Sequence, residues 1–545
     1  MTIFFTFVVA TFATMVLIPP FVRLAAWMHA TDLPGDRKVH TTPMPRLGGV
    51  AMAIGTVLPL LIWGDREPQL VAFLAGVAII LAFGVWDDVS RLDYRMKFVG
   101  QILAALVVIV YGDVVIRSLP FAGMSTLPSY VAIPVTVFAL VGVTNAINLT
   151  DGLDGLAGGT TMLSLAAIAV LSYTSGGGFV LLAAASVIGS ILGFLRFNTY
   201  PARIFMGDGG SQFLGFSTGV LVITLTQQAN TALSPALPLL LLGLPIVDTL
   251  LVMAERMHEG RSPFTPDRKH IHHRLLALGF DHYEAVFVIY ALQAAMILPA
   301  YFLRFEADWL IIALYVAFSA CVVAFLTVAP VFGWRVHEQV ERAGTPHAPI
   351  WIGWLRRDQR MLKGAFYAAV VAIPAFFFVG AFFVASVPKD IGALALVLLV
   401  ALLAVYVRHR HRPFSLFEKG SVYVAGICLV YLMQLSPDAF ERFGVYCSVL
   451  FVAMSVAVAV GFRVGAERFR VTPMDFLVIL IALVVPNVPE LHMKVQHLGV
   501  ATAMIIVLLY SIELVLNNVW RRWDVMRFTT YVTLAVLGVR GLAGA

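Results

Sequence analysis

The sequence predicts an all-α fold: a polytopic, integral membrane helical bundle with its N-terminus outside and its polar clusters at the cytoplasmic face. Three observations predict it. Of 545 residues, 60% are hydrophobic and 12% charged, with a mean hydropathy of +0.90. A water-soluble chain of that length could not bury so much apolar surface. The apolar residues gather in runs of about membrane-spanning length, and the loops between the runs alternate sharply in basic charge.

In order, the runs fall near residues 3–28, 47–64, 69–86, 97–112, 130–147, 160–174, 179–195, 211–227, 236–256, 283–303 and 309–333. The first has no basic residue before it; Arg23 lies near its end, and Arg37 and Lys38 follow. This pattern predicts a retained span rather than a cleaved signal peptide. One set of loops carries Arg37, Lys38 and Arg46, then Arg91, Arg95 and Lys97, then Arg196 and Arg203, then Arg256, Arg261, Arg268, Lys269 and Arg274. The other set holds little beyond Arg66, Arg117 and Arg304. The positive-inside rule places the first set in the cytoplasm. The net charge of +6 is therefore a matter of orientation and does not point to nucleic acid. Residues 333–364 form a polar, amphipathic connection with Trp351, Trp354, Arg356, Arg357, Arg360 and Lys363, the pattern of a helix lying on anionic lipid. Further spans follow near 365–387, 391–407, 421–435, 445–462, 475–488, 498–517 and 528–542. No comparable set of buried acids marks this second half, and the histidines at 409 and 411 suit interfacial anchors. Cys321, Cys428 and Cys447 have neither metal-ligand nor disulfide spacing.

The polar clusters all fall in the basic, cytoplasmic set of loops. The run from Asn145 to Gly155, NAINLTDGLDG, closes a nearly pure hydrocarbon span with two amides and two acids, which near a bilayer mark a site more often than packing. Asn148, Asp151 and Asp154 recur every three residues, a row that shares one face of a helical turn, and oxygen ligands in a row suit a hard cation such as magnesium. Asp87 and Asp88 end the third span, and adjacent carboxylates repel unless a cation sits between them. Lys97 and Asp88, nine residues apart, converge only if the Ser90–Tyr94 stretch turns. FMGDGGSQFLG (205–215) places Asp208 among glycines before a span, with Ser211 as its expected N-cap and free backbone N–H groups as a seat for phosphate. His270, His272 and His273 stand beside Arg268, Lys269 and Arg274. They lack a fourth zinc ligand and suit a basic, donor-rich arm for a diphosphate or sugar. RKVHTTPMPRLGG (37–49) adds Arg37, Lys38, His40 and Arg46 to the same side, as a basic loop. Asp248 follows Pro245 within a span, as a supporting residue.

These motifs, in this order and between these spans, resemble the polyprenyl-phosphate N-acetylhexosamine-1-phosphate transferases of glycosyltransferase family 4. The nearer likeness is to the bacterial branch that moves GlcNAc-1-phosphate onto undecaprenyl phosphate. It rests on Asp87/Asp88, on Asn148 to Ala157, on Gly207 to Ser211 and on His270 to His273, and covers roughly residues 1–332. The resemblance implies an enzyme of the bacterial inner membrane that takes a UDP-sugar from the cytoplasm, transfers its sugar 1-phosphate to undecaprenyl phosphate and releases UMP, initiating a cell-surface polysaccharide. It implies Mg2+, or Mn2+ in its place, on Asp208 and Asn148. Asp87, Asp88, Lys97 and Asp151 form the implied catalytic set. Asp154, Phe205, Asn198, Arg268, His270, His272 and His273 form the implied substrate-binding set, with Asp154 and Phe205 at the uracil. A homodimer and polysaccharide-assembly enzymes are further partners it allows. The histidine arm and the loop before Leu47 depart from the peptidoglycan branch, so a MurNAc-pentapeptide substrate is the alternative within the family. A cation-coupled transporter is the alternative outside it, but it calls for acids at mid-span and usually a repeat. Residues 365–545 read as an additional multi-span domain whose role no motif assigns.

Overall fold

The computed structural model divides into two compact units, one with the described residues up to 336 and the other with those from 359 onward. It describes residues 2–32, 43–90, 92–120, 126–262, 269–336, 359–384, 386–408, 416–434, 437–464, 498–516 and 523–544. In the first unit the helices are α1 (Thr2–Trp27), α2 (Gly48–Trp63), α3 (Pro68–Ser90), α4 (Tyr94–Val110), α5 (Ser129–Thr150), α6 (Leu156–Thr174), α7 (Gly178–Asn198), α8 (Gly207–Thr224), α9 (Leu237–Leu241), α10 (Gly243–His258), α11 (Ile271–Ala277), α12 (His282–Phe302) and α13 (Asp308–Val331). A two-stranded antiparallel ribbon joins α1 to α2, with Thr31 opposite Pro45 and Asp32 opposite Met44. Among the described residues nine helices have at least 18 residues and are apolar enough to cross a membrane. The chain is thus a multi-pass membrane protein, helical because a helix pairs its backbone groups internally where lipid offers no partners.

The first unit is built round α8. Every residue of α8 except Asp208 is buried, as expected of a helix apolar on all sides, and α3, α5, α2, α6 and α7 pack against it. One close approach is at Gly84 of α3. A Cβ there would lie 2.3 Å from the Gly209 Cα, so only a glycine lets the two backbones meet. One turn further along α3, Asp87 and Asp88 arrive at the N-terminus of α8.

The structure departs from the sequence expectation at the span near 236–256, which is two helices broken at Leu242. Pro245 has no N–H to return to the Leu241 carbonyl. Gln293 of α12, fully buried, fills the gap: its Nε2 donates to the Leu241 carbonyl at 3.1 Å and its Oε1 accepts the Leu244 N–H at 3.1 Å.

The second unit contains α14 (Gln359–Phe383), α15 (Lys389–Arg408), α16 (Leu416–Gln434), α17 (Pro437–Val464), α18 (Leu498–Leu516) and α19 (Trp523–Ala543). Its acids are held singly rather than as a set. Glu418 is buried and accepts the Arg527 Nε at 2.6 Å, and Glu513 accepts the Tyr423 hydroxyl. Most of the expected interfacial helix (337–358), the expected span at 475–488 and the histidines at 409 and 411 lie outside the described residues.

The Gln293 brace gives a direct test. Gln293→Leu leaves one buried carbonyl and one buried N–H unpaired, so it should destabilise the protein by about 1–3 kcal/mol. A thermal-unfolding midpoint in detergent equal to that of the parent protein would remove the brace from the account.

Candidate active site

The site starts at the N-terminus of α8. Asp88, 7% exposed, accepts the Asp208 N–H at 3.0 Å and the Gly209 N–H at 3.2 Å. A carboxylate here satisfies orphan donors and meets the positive end of the helix dipole. The turn is tight: Gly207 has φ +70°, and a Cβ would lie 2.5 Å from an Asp88 carboxylate oxygen. Two sequence expectations are corrected. The N–H groups of Asp208 and Gly209 are not a free phosphate seat, because Asp88 occupies them. Ser211 is not an N-cap, because α8 already begins at Gly207; its hydroxyl instead donates to the Asn148 Oδ1 at 2.5 Å and ties α8 to α5.

The turn between Ser90 and Tyr94 reverses the chain and brings Lys97 back over α3. Its partner is Asp87, not Asp88. The Lys97 Nζ lies 2.6 Å from the Asp87 Oδ2 and 3.1 Å from the Asp208 Oδ2, so one ammonium is clamped between two carboxylates. Asp87 also accepts the Leu92 N–H at 2.7 Å, which fixes the turn. Arg46 was legible only as part of a basic loop. The structure makes it a second cation of the site, interacting electrostatically with Asp88, Asp151 and Asp208 while its guanidinium pairs with Asp32 at 2.8 Å. The segment after it is stitched to the chain before α8: Phe205 donates its N–H to Pro45, and Gly48 and Gly49 donate to Phe205 and Met206 at 2.8–3.0 Å. The Leu-Gly-Gly after Arg46 was the available sequence signal.

The Asn145–Gly155 run is not one helical face. Helix α5 ends at Thr150, and Gly155 at φ +81° leads into α6, so Asp151 and Asp154 sit on a turn. Asn148 stays on α5. Asp154 accepts the Ala202 N–H at 2.9 Å. Asn198, expected to bind substrate, is buried and spends its amide within the protein. Its Oδ1 accepts the Gly155 N–H and its Nδ2 donates to the Ile204 carbonyl, each at 2.9 Å. It braces the turn against the chain that carries Phe205. Asp151 lies among Asp208, Asp154 and Asp88. Burial and those charges, opposed by Arg46, push its carboxyl up to about 7.

The histidine arm is less basic than its sequence. Arg274 is held by both Glu255 oxygens at 2.6 Å, and Lys269 pairs with Glu259. His270 is buried, its Nδ1 2.9 Å from the Asp248 Oδ2, while the Asp248 Oδ1 accepts the Ile271 N–H at 2.8 Å. Asp248 therefore docks the arm onto α10. His272 is 3% exposed, and burial with the neighbouring His273 and His270 holds its imidazole down at about 3; it is neutral at physiological pH. It lies so close to the turn that a Cβ on Gly152 would fall 2.1 Å from its Nε2. His273 stacks at a tilt on His272, with ring centroids 4.2 Å apart. Arg268 lies outside the described residues, as do Arg37, Lys38, His40 and Arg91.

The structure thus brings together Asp87, Asp88, Lys97, Asn148, Asp151 and Asp208, with His272 against the same turn. Among the described residues no three His, Cys, Asp or Glu side chains form a closed metal site. The donors are nonetheless hard oxygens with an excess of negative charge. That composition suits an ion which takes one or two carboxylates and leaves positions for water and phosphate, as magnesium does.

Fold and site together define a membrane-embedded protein whose acids, amides and one clamped lysine meet where several helices end. The sequence pattern of glycosyl transferase family 4 matches residues 70–226, which include Asp87, Asp88, Lys97, Asn148, Asp151 and Asp208. A probable undecaprenyl-phosphate N-acetylglucosaminyl 1-phosphate transferase of Bacillus subtilis is 38% identical over 306 residues, 56% of this chain and 86% of that protein. A decaprenyl-phosphate N-acetylglucosaminephosphotransferase of Mycolicibacterium smegmatis is 38% identical over 49% of this chain and 73% of its own. An undecaprenyl-phosphate alpha-N-acetylglucosaminyl 1-phosphate transferase of Yersinia pestis is 29% identical over 59% and 89%. The chain belongs to glycosyl transferase family 4.

The position of Asp151 sets a pH dependence. Its carboxyl moves from 3.8 up to about 7 in the folded protein, so the fold favours the protonated form. That contribution is complete below 3.8 and is lost as pH rises through about 7. In chelator, the stability of Asp151→Asn relative to the parent protein should therefore grow between pH 4 and 7 and level off above. A difference in unfolding midpoint that does not change with pH would contradict the placement of Asp151 among the acids.

Proposed function

We propose that this protein transfers N-acetylglucosamine 1-phosphate from UDP-GlcNAc to undecaprenyl phosphate at the cytoplasmic face of the inner membrane, releasing UMP. The observation that carries the reading is the Asp87–Lys97–Asp208 clamp at the end of a buried helix bundle, with Asn148 held beside it by Ser211. The names of the B. subtilis and Y. pestis relatives support the acceptor and the transferred group. The basic residues Arg46, Arg95, Lys97, Arg196, Arg203 and Arg256 lie at the helix ends that carry the site, as a cytoplasmic face requires.

In this reaction an oxygen of the lipid phosphate forms a bond to the β-phosphorus of the nucleotide sugar, the β-phosphorus–bridging-oxygen bond breaks, and UMP departs with that oxygen. Such transfers depend mainly on positioning and charge neutralisation. Lys97 supplies a cation held where Asp87 and Asp208 already orient it, and Arg46 supplies a second. Asp208 and Asn148 would hold magnesium, which when bound neutralises charge on the diphosphate oxygens. Asp88 is engaged with the α8 backbone and holds that helix end in place. A phosphate monoester is already ionised near neutral pH, so no strong base is needed. Asp151, poised near neutrality, is the carboxyl suited to exchange a proton with the acceptor. Asp154 and Phe205, on the segments that Asn198 braces, flank the place proposed for the uracil. His272, neutral and buried, offers a hydrogen bond rather than a charge, with Arg268 and His273 completing the arm that reads the sugar or diphosphate.

Detergent-purified protein should release UMP from UDP-GlcNAc only when magnesium and undecaprenyl phosphate are both present. Lipid-independent release, or none with any UDP-N-acetylhexosamine, would sink the reading. Asp208→Ala removes the carboxylate proposed to hold magnesium and should lower kcat about 10³-fold, the range for losing one preorganised electrostatic group.

A further inference from the structure

A second polar layer lies beneath the site. Gln101, Asn145 and Gln212 come from α4, α5 and α8, the helices that carry Lys97, Asn148 and Asp208. Gln101 is four residues after Lys97, Gln212 four after Asp208, and Asn145 three before Asn148, so each sits about one helical turn from its site residue. Gln101 and Gln212 are 3% and 2% exposed. The Asn145 Nδ2 donates to the Val141 carbonyl at 2.8 Å and to the Gln101 Oε1 at 2.7 Å. The Gln101 Nε2 donates to the Gln212 Oε1 at 3.0 Å and lies 3.4 Å from the Asn145 Oδ1.

The sense of this chain is fixed from one end. A backbone carbonyl can only accept, so Val141 dictates that Asn145 turns its nitrogen inward. That nitrogen dictates which end of Gln101 faces it, and the other end of Gln101 dictates the orientation of Gln212. No amide can flip alone without setting donor against donor. Apolar side chains of the same size would pack here without choosing a register, whereas a buried amide chain satisfied at each link admits one. Lys97 and Asp208 need such a constraint, because the contacts between them depend on how far α4 and α8 have slid or rotated against each other.

We propose that Gln101, Asn145 and Gln212 are positioning residues that act as one relay: they lock α4, α5 and α8 in the register at which Lys97, Asn148 and Asp208 converge. The inference rests on the transferase reading for its kinetic consequence, but not for its structural one.

The test is a double-mutant cycle of Gln101→Leu and Gln212→Leu, with two readouts. In the UMP-release assay each single variant should lose about 10–100-fold in kcat, the scale for small misplacement of reacting groups, with KM for the sugar nucleotide within about threefold, because neither residue touches it. The double variant should lose no more than the worse single one. The second readout needs no turnover: reductive methylation of Lys97, followed by peptide mass spectrometry. Lys97 is held between Asp87 and Asp208, so its labelling should rise several-fold in both variants while that of Lys269 stays constant. Gln101→Asn, which retains both donor and acceptor, should recover part of each signal, whereas a purely volumetric role predicts recovery by Gln101→Met. Additive kcat losses, or Lys97 labelling equal to the parent rate, overturn the relay. An inactive parent protein overturns the transferase reading and leaves the labelling to decide the relay.

Discussion

The arrangement depends on one interaction, the Asp88 carboxylate on the N-terminus of α8. Two orphan N–H groups of a buried helix have no water to turn to, and leaving them unpaired in an apolar bundle costs several kcal/mol (about 2–7). Asp88 satisfies both. In doing so it anchors α3 to α8 at the level where Gly84 and Gly209 meet, and that contact sets the position of Asp208. With Asp88 engaged, Asp87 is left for Lys97, and Lys97 closes on Asp208. Two adjacent acids of the same type therefore have separate tasks, one holding backbone and the other holding a cation. Their places on a helix end put one against α8 and the other toward the returning chain.

The same reasoning explains the histidine arm. It reads as strongly basic in sequence, yet Glu255 on the last turn of α10 and Glu259 just after it take up Arg274 and Lys269. Asp248 takes His270. What remains to face the Gly152 turn is a buried, neutral imidazole. Such a group discriminates by shape and hydrogen-bond direction, whereas an array of free cations would attract any polyphosphate. On the proposed reading this division is useful, because general attraction to the diphosphate can come from Lys97 and Arg46 while the arm distinguishes what is attached to it.

Much of this was legible in the sequence. Hydropathy placed the spans because lipid imposes length and apolarity on every crossing helix, and the concentration of acids at helix ends marked the candidate site because charge near a bilayer is costly. What was not legible has a common physical character. Ser211 looked like an N-cap because local sequence cannot show that Asp88, 120 residues earlier, already caps the helix. Asn198 looked available because its two partners, Gly155 and Ile204, lie on different loops. Arg46 looked like one of many loop cations. The break at Leu242 could be suspected from Pro245, but Gln293, the residue that makes it tolerable, lies on another helix. In each case the chemistry of the residue was readable and its partner was not, since partners are set by tertiary contact.

That distinction bears on how catalytic power is distributed in this fold. Lys97 lies near the start of α4, Asn148 near the end of α5 and Asp208 at the start of α8, so no local sequence element can hold them together. Dispersion and helix packing bring the helices close, but small interhelical shifts cost little in a medium as apolar as the helices themselves. Directional hydrogen bonds are the available means of choosing one register among several that pack equally well, and in this bundle they occur in two layers. The upper layer includes Ser211 on Asn148 and Lys97 on Asp87 and Asp208, groups that on the proposed reading also meet substrate and so are not fully committed to one another. The lower layer of amides has no such second task. A site whose reacting groups must stay partly unsatisfied needs its rigidity from a neighbouring layer that is satisfied, and that is the role proposed for the residues one turn beneath the acids.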